Sequence, residues 1–193
     1  VEAREVHLLT RWWRPAIAVA VVALAVVFRL VREEIGAPPN LELVTSAAFA
    51  AAVLVRHRLA FLAPLLVAVV SDLLLGNTSI ALFTWSAWLV IGLAALLTRG
   101  TSGWGRIGAA AGLGVGGSLW FFLWTNFGVW FQGRGVWYPA GVDGLVASYV
   151  AGLPFLRTML IGNLVLLPLV AAGTLLVDRL ERSHGLVVAP QTV

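Results

Sequence analysis

Six apolar runs, each closed by charged residues or by glycine and proline, set the pattern of this chain. They are Pro15 to Leu30, Leu41 to Val55, Leu59 to Leu75, Ile80 to Leu97, Ile107 to about Phe131, and Pro154 to Leu176. A helix that crosses hydrocarbon needs roughly 20 apolar residues, so these runs read as about six transmembrane helices joined by short loops. The second run is the exception. At about fifteen residues it spans the bilayer only if tilted or sheltered by its neighbours.

The punctuation supports this division. Trp12, Trp13 and Arg14 precede Pro15, a combination that suits the interface and a helix start. REEIGAPPN (Arg32 to Asn40) ends in a Pro-Pro that cannot continue a helix, and Gly76-Asn77 makes a tight turn after the third run. Arg99 to Arg106 is a basic, glycine-rich loop. The longest connection, Gly133 to Leu153, contains GLVASYVAGL, which reads as a short helix lying at the interface. Small residues also fall on single faces: Ala16, Ala20 and Ala23 in the first run, and Gly108, Gly112 and Gly116 in the fifth. Such faces let another helix approach closely.

Composition fixes the class. With 60% hydrophobic and 11% charged residues and a mean hydropathy of +0.94, the chain departs from soluble domains, in which about a quarter of residues are charged. The expected fold class is therefore all-α, a polytopic bundle of about six transmembrane helices filling a single domain. Residues 1–14 form a polar lead, 15–176 the bundle and 177–193 a cytoplasmic tail. No cleavage pattern closes the first run, which is expected to stay as a true helix.

Charge gives the orientation. All thirteen cationic residues are Arg. With a cytoplasmic N-terminus the inner segments hold Arg4, Arg11, Arg14, Arg56, Arg58, Arg99, Arg106, Arg179 and Arg182, and the outer ones hold Arg29, Arg32, Arg134 and Arg157. Nine against four places both termini inside and the aromatic loop outside. The expected location is a bacterial inner membrane, crossed several times. Because the arginines sit at span ends rather than in a patch, no nucleic-acid partner is expected.

Candidate chemistry then collects on the outer side. An ionisable residue within a span costs on the order of 3 kcal/mol and needs a partner or a purpose. Asp72, one turn from the outer end of its span, and Arg157, in the first turn of the last one, lie at similar depth; they are expected to pair at the rim of an outward pocket. Asn126 and Asn163 must satisfy their amides inside hydrocarbon, by bonds between helices or to a ligand. Trp120, Trp124, Phe127 and Phe131 are spaced four, three and four apart and form one ring-lined face. This face is either an interfacial belt or a wall for a planar or apolar ligand. The expected ligand-binding set is Asp72, Asn77, Trp124, Asn126, Trp130, Trp137, Tyr138, Arg157 and Asn163.

Enzyme signatures are lacking. Without cysteine there is no thiolate site, and His7, His57 and His184 all fall on the inner side without a second metal ligand at suitable spacing. No nucleophile arrangement, phosphate loop or dinucleotide fingerprint is present. Neither a metal nor a cofactor is expected. The runs SDLLLG (Ser71 to Gly76), TNFGVW (Thr125 to Trp130), Tyr138-Pro139 and YVAGLPFLRTMLIGN (Tyr149 to Asn163), with Pro39-Asn40, resemble the signature segments of a family of small bacterial membrane proteins. That family is similar to the substrate-binding S components of energy-coupling-factor vitamin transporters. The resemblance implies six helices, a small-molecule site near the outer face, and docking of a transmembrane coupling protein with its ATPases on the first helix, at Ala16 and Ala20. Some similar proteins serve cobalamin uptake and use a cysteine toward cobalt; this chain departs from them in having none. The alternative expectation is a structural or accessory subunit of a larger membrane complex, without a ligand of its own. A lipid-acting enzyme comes last, since Asp72 would be its only buried acid and no paired base is present.

Overall fold

A computed structural model describes residues 2–55, 57–76 and 79–183, with side chains from Trp12 onward. Six α-helices and no strands occur among them: α1 (Glu2–Val31), α2 (Val44–Leu54), α3 (Ala63–Leu75), α4 (Ala81–Ala95), α5 (Gly103–Gly133) and α6 (Val142–Ser183). A 3-10 turn, Arg58–Leu62, leads into α3, and another, Leu96–Thr98, extends α4. Five segments are long and apolar enough to cross a bilayer, and the chain is a multi-pass membrane protein. The sixth helix, α2, is not among them. Its 11 residues rise only about 16 Å, half the thickness of the hydrocarbon.

The bundle is built around α2. This helix is rich in alanine and buried along its whole length except at Val53, and it packs against all five other helices. A helix that is apolar on every face belongs in an interior. Around it the others stand in the order α1, α3, α4, α5, α6, with neighbours in close contact along four seams. The fifth seam, between α6 and α1, is the loose one.

A short helix inside a low-dielectric core needs partners for its terminal N–H and C=O groups. At the N-terminus, the Glu42 carboxylate accepts the Thr45 N–H at 2.8 Å and the Thr45 hydroxyl at 2.6 Å. At the C-terminus, Arg99 donates to the carbonyls of Ala52 at 2.9 Å, Val55 at 3.3 Å and His57 at 2.6 Å. An acid at the positive end and a cation at the negative end also offset the helix dipole.

Two boundaries differ from the sequence expectation. Pro15 lies inside α1 instead of opening it, and α6 begins at Val142, with Pro154 and Pro168 in its interior. Gly133 to Leu153 therefore holds no separate interfacial helix; its second half is the outer end of a 42-residue α6. Side-chain hydroxyls and neighbouring helices soften the loss of a proline N–H within a membrane bundle. The Thr158 hydroxyl, for instance, bonds back to the Pro154 carbonyl at 3.2 Å. Packing against the outer loop and α5 fixes the extension: Gly144 meets the loop carbonyl of Pro139, Gly152 meets Asn126 of α5, and the Ser148 hydroxyl donates to the Asn126 carbonyl at 2.9 Å.

Candidate functional site

The loose seam between α1 and α6 is tied at its inner end. Arg14 donates through Nε to Glu181 at 2.6 Å and through Nη2 to Asp178 at 2.5 Å and to the second Glu181 oxygen. Trp13 adds its indole N–H to Glu181 at 2.9 Å, and Arg106 of α5 reaches Asp178 at 2.6 Å. Ala18, Ala50, Leu54 and Val177 pack beneath this charged clasp. Towards the outer side the two helices part, leaving a groove with a cavity of about 1040 Å³.

The groove exists because of how the chain enters α2. After the last turn of α1, Gly36 and Asn40 adopt left-handed backbone around Pro38 and Pro39, and the chain turns back into the bundle. Leu41 then settles on Gly162, where an added Cβ would stand 2.7 Å from the leucine Cδ1. Leu41 and Leu43 form the floor, Phe28 of α1 one wall, and the face of α6 from Val150 to Leu166 the other. Leu153, Ile161 and Val165 are more than half exposed along this wall, so the groove opens sideways towards lipid.

One charge lines it. Arg157 makes no ion pair or hydrogen bond within the described residues, and the only hydroxyl in the lining, Thr158, is committed to its own helix. Pro154 has no N–H to give the Val150 carbonyl, which adds one backbone acceptor in the same turn. The groove is thus an apolar slot with a guanidinium at its edge.

The expected Asp72 to Arg157 ion pair is not formed. Asp72 instead takes Arg29 of α1 on one oxygen and the Trp85 indole N–H of α4 on the other at 3.0 Å, while Arg29 also donates to Ser71 at 2.6 Å. Helix order is the reason: α3 stands between α1 and α4, across α2 from α6. A buried aspartate needed a cation, and the neighbouring helix supplied a different one.

The remaining residues of the expected set lie away from the groove, apart from Asn163, which adjoins its wall residue Gly162. Trp120, Trp124, Phe127 and Phe131 do form one continuous face, with successive ring centroids 5.6, 5.8 and 5.8 Å apart. Phe83 of α4 packs onto this face, and the Trp124 indole donates to Ser86 at 2.8 Å, so the rings bind α5 to α4. Trp130 donates to the Pro139 carbonyl at 3.1 Å; Trp137 covers Gly133, and the Tyr138 carbonyl accepts from Gly135 at 2.6 Å. These three shape the outer loop. The Asn126 amide bonds back to Phe122 at 2.8 Å, while Asn163, buried against Gly114, donates to Ser118 at 3.1 Å and bridges α6 to α5. Asn77 lies outside the described residues. Of the aromatic and polar stretch from Trp120 to Asn163, only the final third, from Val150, enters the groove. The lining residues Phe28, Leu41, Gly162 and Val165 gave no sequence signal, because each looks like any apolar position in a span.

The chain belongs to a family of unknown function (DUF6580), whose family model matches residues 9–184, from α1 to just beyond the end of α6. Neither a curated protein nor a solved structure matches the chain.

Proposed function

We propose that this protein binds a small, largely apolar molecule in the groove between α1 and α6 and takes part in its uptake, in the manner of the S components that its sequence segments resemble. One observation carries the reading: the loose seam of the bundle holds a cavity of ligand size, of about 1040 Å³, lined by a cation that no group among the described residues neutralises. In this reading Arg157 orients the ligand and α6 supplies the apolar wall. Ala16 and Ala20, both exposed on the outer surface of α1, offer a small-residue face to a transmembrane coupling protein with ATPases. The protein carries out no chemistry on its cargo.

Native mass spectrometry of the protein extracted into lipid nanodiscs tests this. A bound small molecule that Val165→Trp displaces, by filling the groove, is the expected result. Loss of the reading follows if the wild type carries no such molecule and the V165W variant supports uptake as well as the wild type in cells.

The accessory-subunit reading is favoured by a separate observation. Gly105, Gly108, Gly112 and Gly116 of α5 have no neighbouring atoms where a side chain would begin, so a second small-residue face points away from the bundle. A tightly co-purifying membrane subunit, with the groove filled only by lipid, would decide for it.

A further inference from the structure

We infer that the ligand of the groove is a single-chain amphiphile with one acidic head, drawn from the outer half of the bilayer and not from water. This rests on the proposed binding function and narrows it to a chemical class.

Of the groove residues only Arg157 and Thr158 have polar side chains, and the Thr158 hydroxyl is held by Pro154. A sugar, a nucleotide or a polycation would bury more hydrogen-bonding groups than Arg157 and the free Val150 carbonyl can satisfy. An apolar chain meets no such cost, because Phe28, Leu41 and Val165 offer carbon surface along the slot.

Charge supplies the head. A guanidinium at the edge of hydrocarbon is stabilised by an anion, and the acids buried within the bundle are taken. Asp72 is shared by Arg29 and Trp85, Glu42 caps α2 through Thr45, and Asp178 and Glu181 close the inner clasp. Glu33, Glu34 and Asp143 lie in the outer segments and make no contact with Arg157, so among the described residues it has no protein counter-charge and can take one from a ligand. A carboxylate or a phosphate monoester at the end of a chain would accept its paired N–H groups while the chain occupies the groove.

The route follows from exposure. Leu153, Ile161 and Val165 face outward along the mouth, so the slot opens to the bilayer laterally. Phe28, in the last turn of α1, sets its level in the half of the membrane that the arginine distribution assigns to the outside. A molecule already dissolved in that leaflet enters without leaving hydrocarbon.

Spin-labelled stearic acid, its methyl ester and a spin-labelled phosphatidylglycerol are compared in phosphatidylcholine nanodiscs, at a pH where the acid is ionised. The reading is the motionally restricted fraction of each label. The acid is expected to associate about tenfold more strongly than the ester, the low end for a charge-assisted contact. Arg157→Gln should bring that ratio to about one, Arg157→Lys should keep most of it, and Arg134→Gln on the outer loop should leave it unchanged. V165W should reduce the restricted fraction of acid and ester alike. Equal association of acid and ester in the wild type, with V165W still lowering both, overturns the acidic class and leaves the binding reading standing. No effect of V165W on any label removes the groove as a site, and with it both readings. Selectivity for phosphatidylglycerol equal to that for the acid would make Arg157 an annular lipid contact and overturn the inference.

Discussion

Replacing Asp72 should damage the fold, and replacing Arg157 should not. The Asp72 side chain is 3% exposed and its Arg29 partner 15%, so the pair sits almost wholly out of water. Removing one member of a buried pair strands the other charge, at a cost of about 3–5 kcal/mol. Asp72→Leu should reach that range, since Arg29 then keeps only Ser71 and the Trp85 indole loses its acceptor. Asp72→Asn retains one carbonyl oxygen and should cost less, about 2–3 kcal/mol. The double variant R29M/D72L removes both charges and should return to within about 1 kcal/mol of the wild type, because a well-packed apolar pair often replaces a buried ion pair without loss. Arg157→Gln, at an exposed site with no partner to strand, should stay within about 0.5 kcal/mol.

Unfolding in mixed micelles by titration with sodium dodecyl sulfate, followed by circular dichroism, measures these differences. Two results would refute the reasoning. One is an Asp72→Leu variant as stable as the wild type, which would mean that the pair contributes nothing. The other is an Arg157→Gln variant as damaged as Asp72→Leu, which would mean that Arg157 is held by the bundle after all.

Other perturbations test the frame around the groove. Gly128→Ala should destabilise the protein by about 1–3 kcal/mol, since the new methyl would collide with the Phe83 ring, whereas Gly112→Ala meets open space and should be neutral or stabilising by up to about 1 kcal/mol; thermal unfolding in detergent reads both signs. Arg99→Gln should cost about 2 kcal/mol by the same unfolding titration, because the C-terminal carbonyls of α2 lose a charged donor. Ala16→Leu with Ala20→Leu should leave stability unchanged but abolish co-purification of a coupling partner from native membranes; retained co-purification would move the partner face elsewhere.

The spans were legible because the apolar runs are long and their ends are marked by arginine, glycine and proline. The two misplaced helix starts share one cause. Proline at the head of an apolar run is the usual mark of a first helical turn, and Pro15 and Pro154 both stand there. Inside a membrane bundle the same residue is tolerated mid-helix, so the signal loses its directional meaning. Asp72 shows a different limit: its burial and its need for a cation could be read from position, but Arg29 and Arg157 both lie at outer helix ends. Only the order of helices around α2 decides between them, and that order leaves no local trace. The aromatic face on α5 is continuous, as its spacing predicts. Its partner, Phe83, leaves no such signal, because ring spacing describes one helix and says nothing of what covers it.

The groove itself follows from the shortness of α2. A central helix of 11 residues cannot fill the height of five longer ones, so the chain that feeds it must descend into the bundle before Val44. Leu41 makes that descent against Gly162, where a larger residue on α6 would block it. The feeding segment then lies where α1 and α6 would otherwise meet, and the seam stays open above while Arg14, Asp178 and Glu181 hold it shut below. Filling the gap with a longer α2 would close the seam and leave Arg157 facing hydrocarbon with no counter-ion. Burying both ends of α2 costs an acid at Glu42 and a cation at Arg99, each committed entirely to backbone or to Thr45. One buried and one half-buried charge hold a short helix in place, and the seam that its shortness leaves open is where a ligand and the bundle meet.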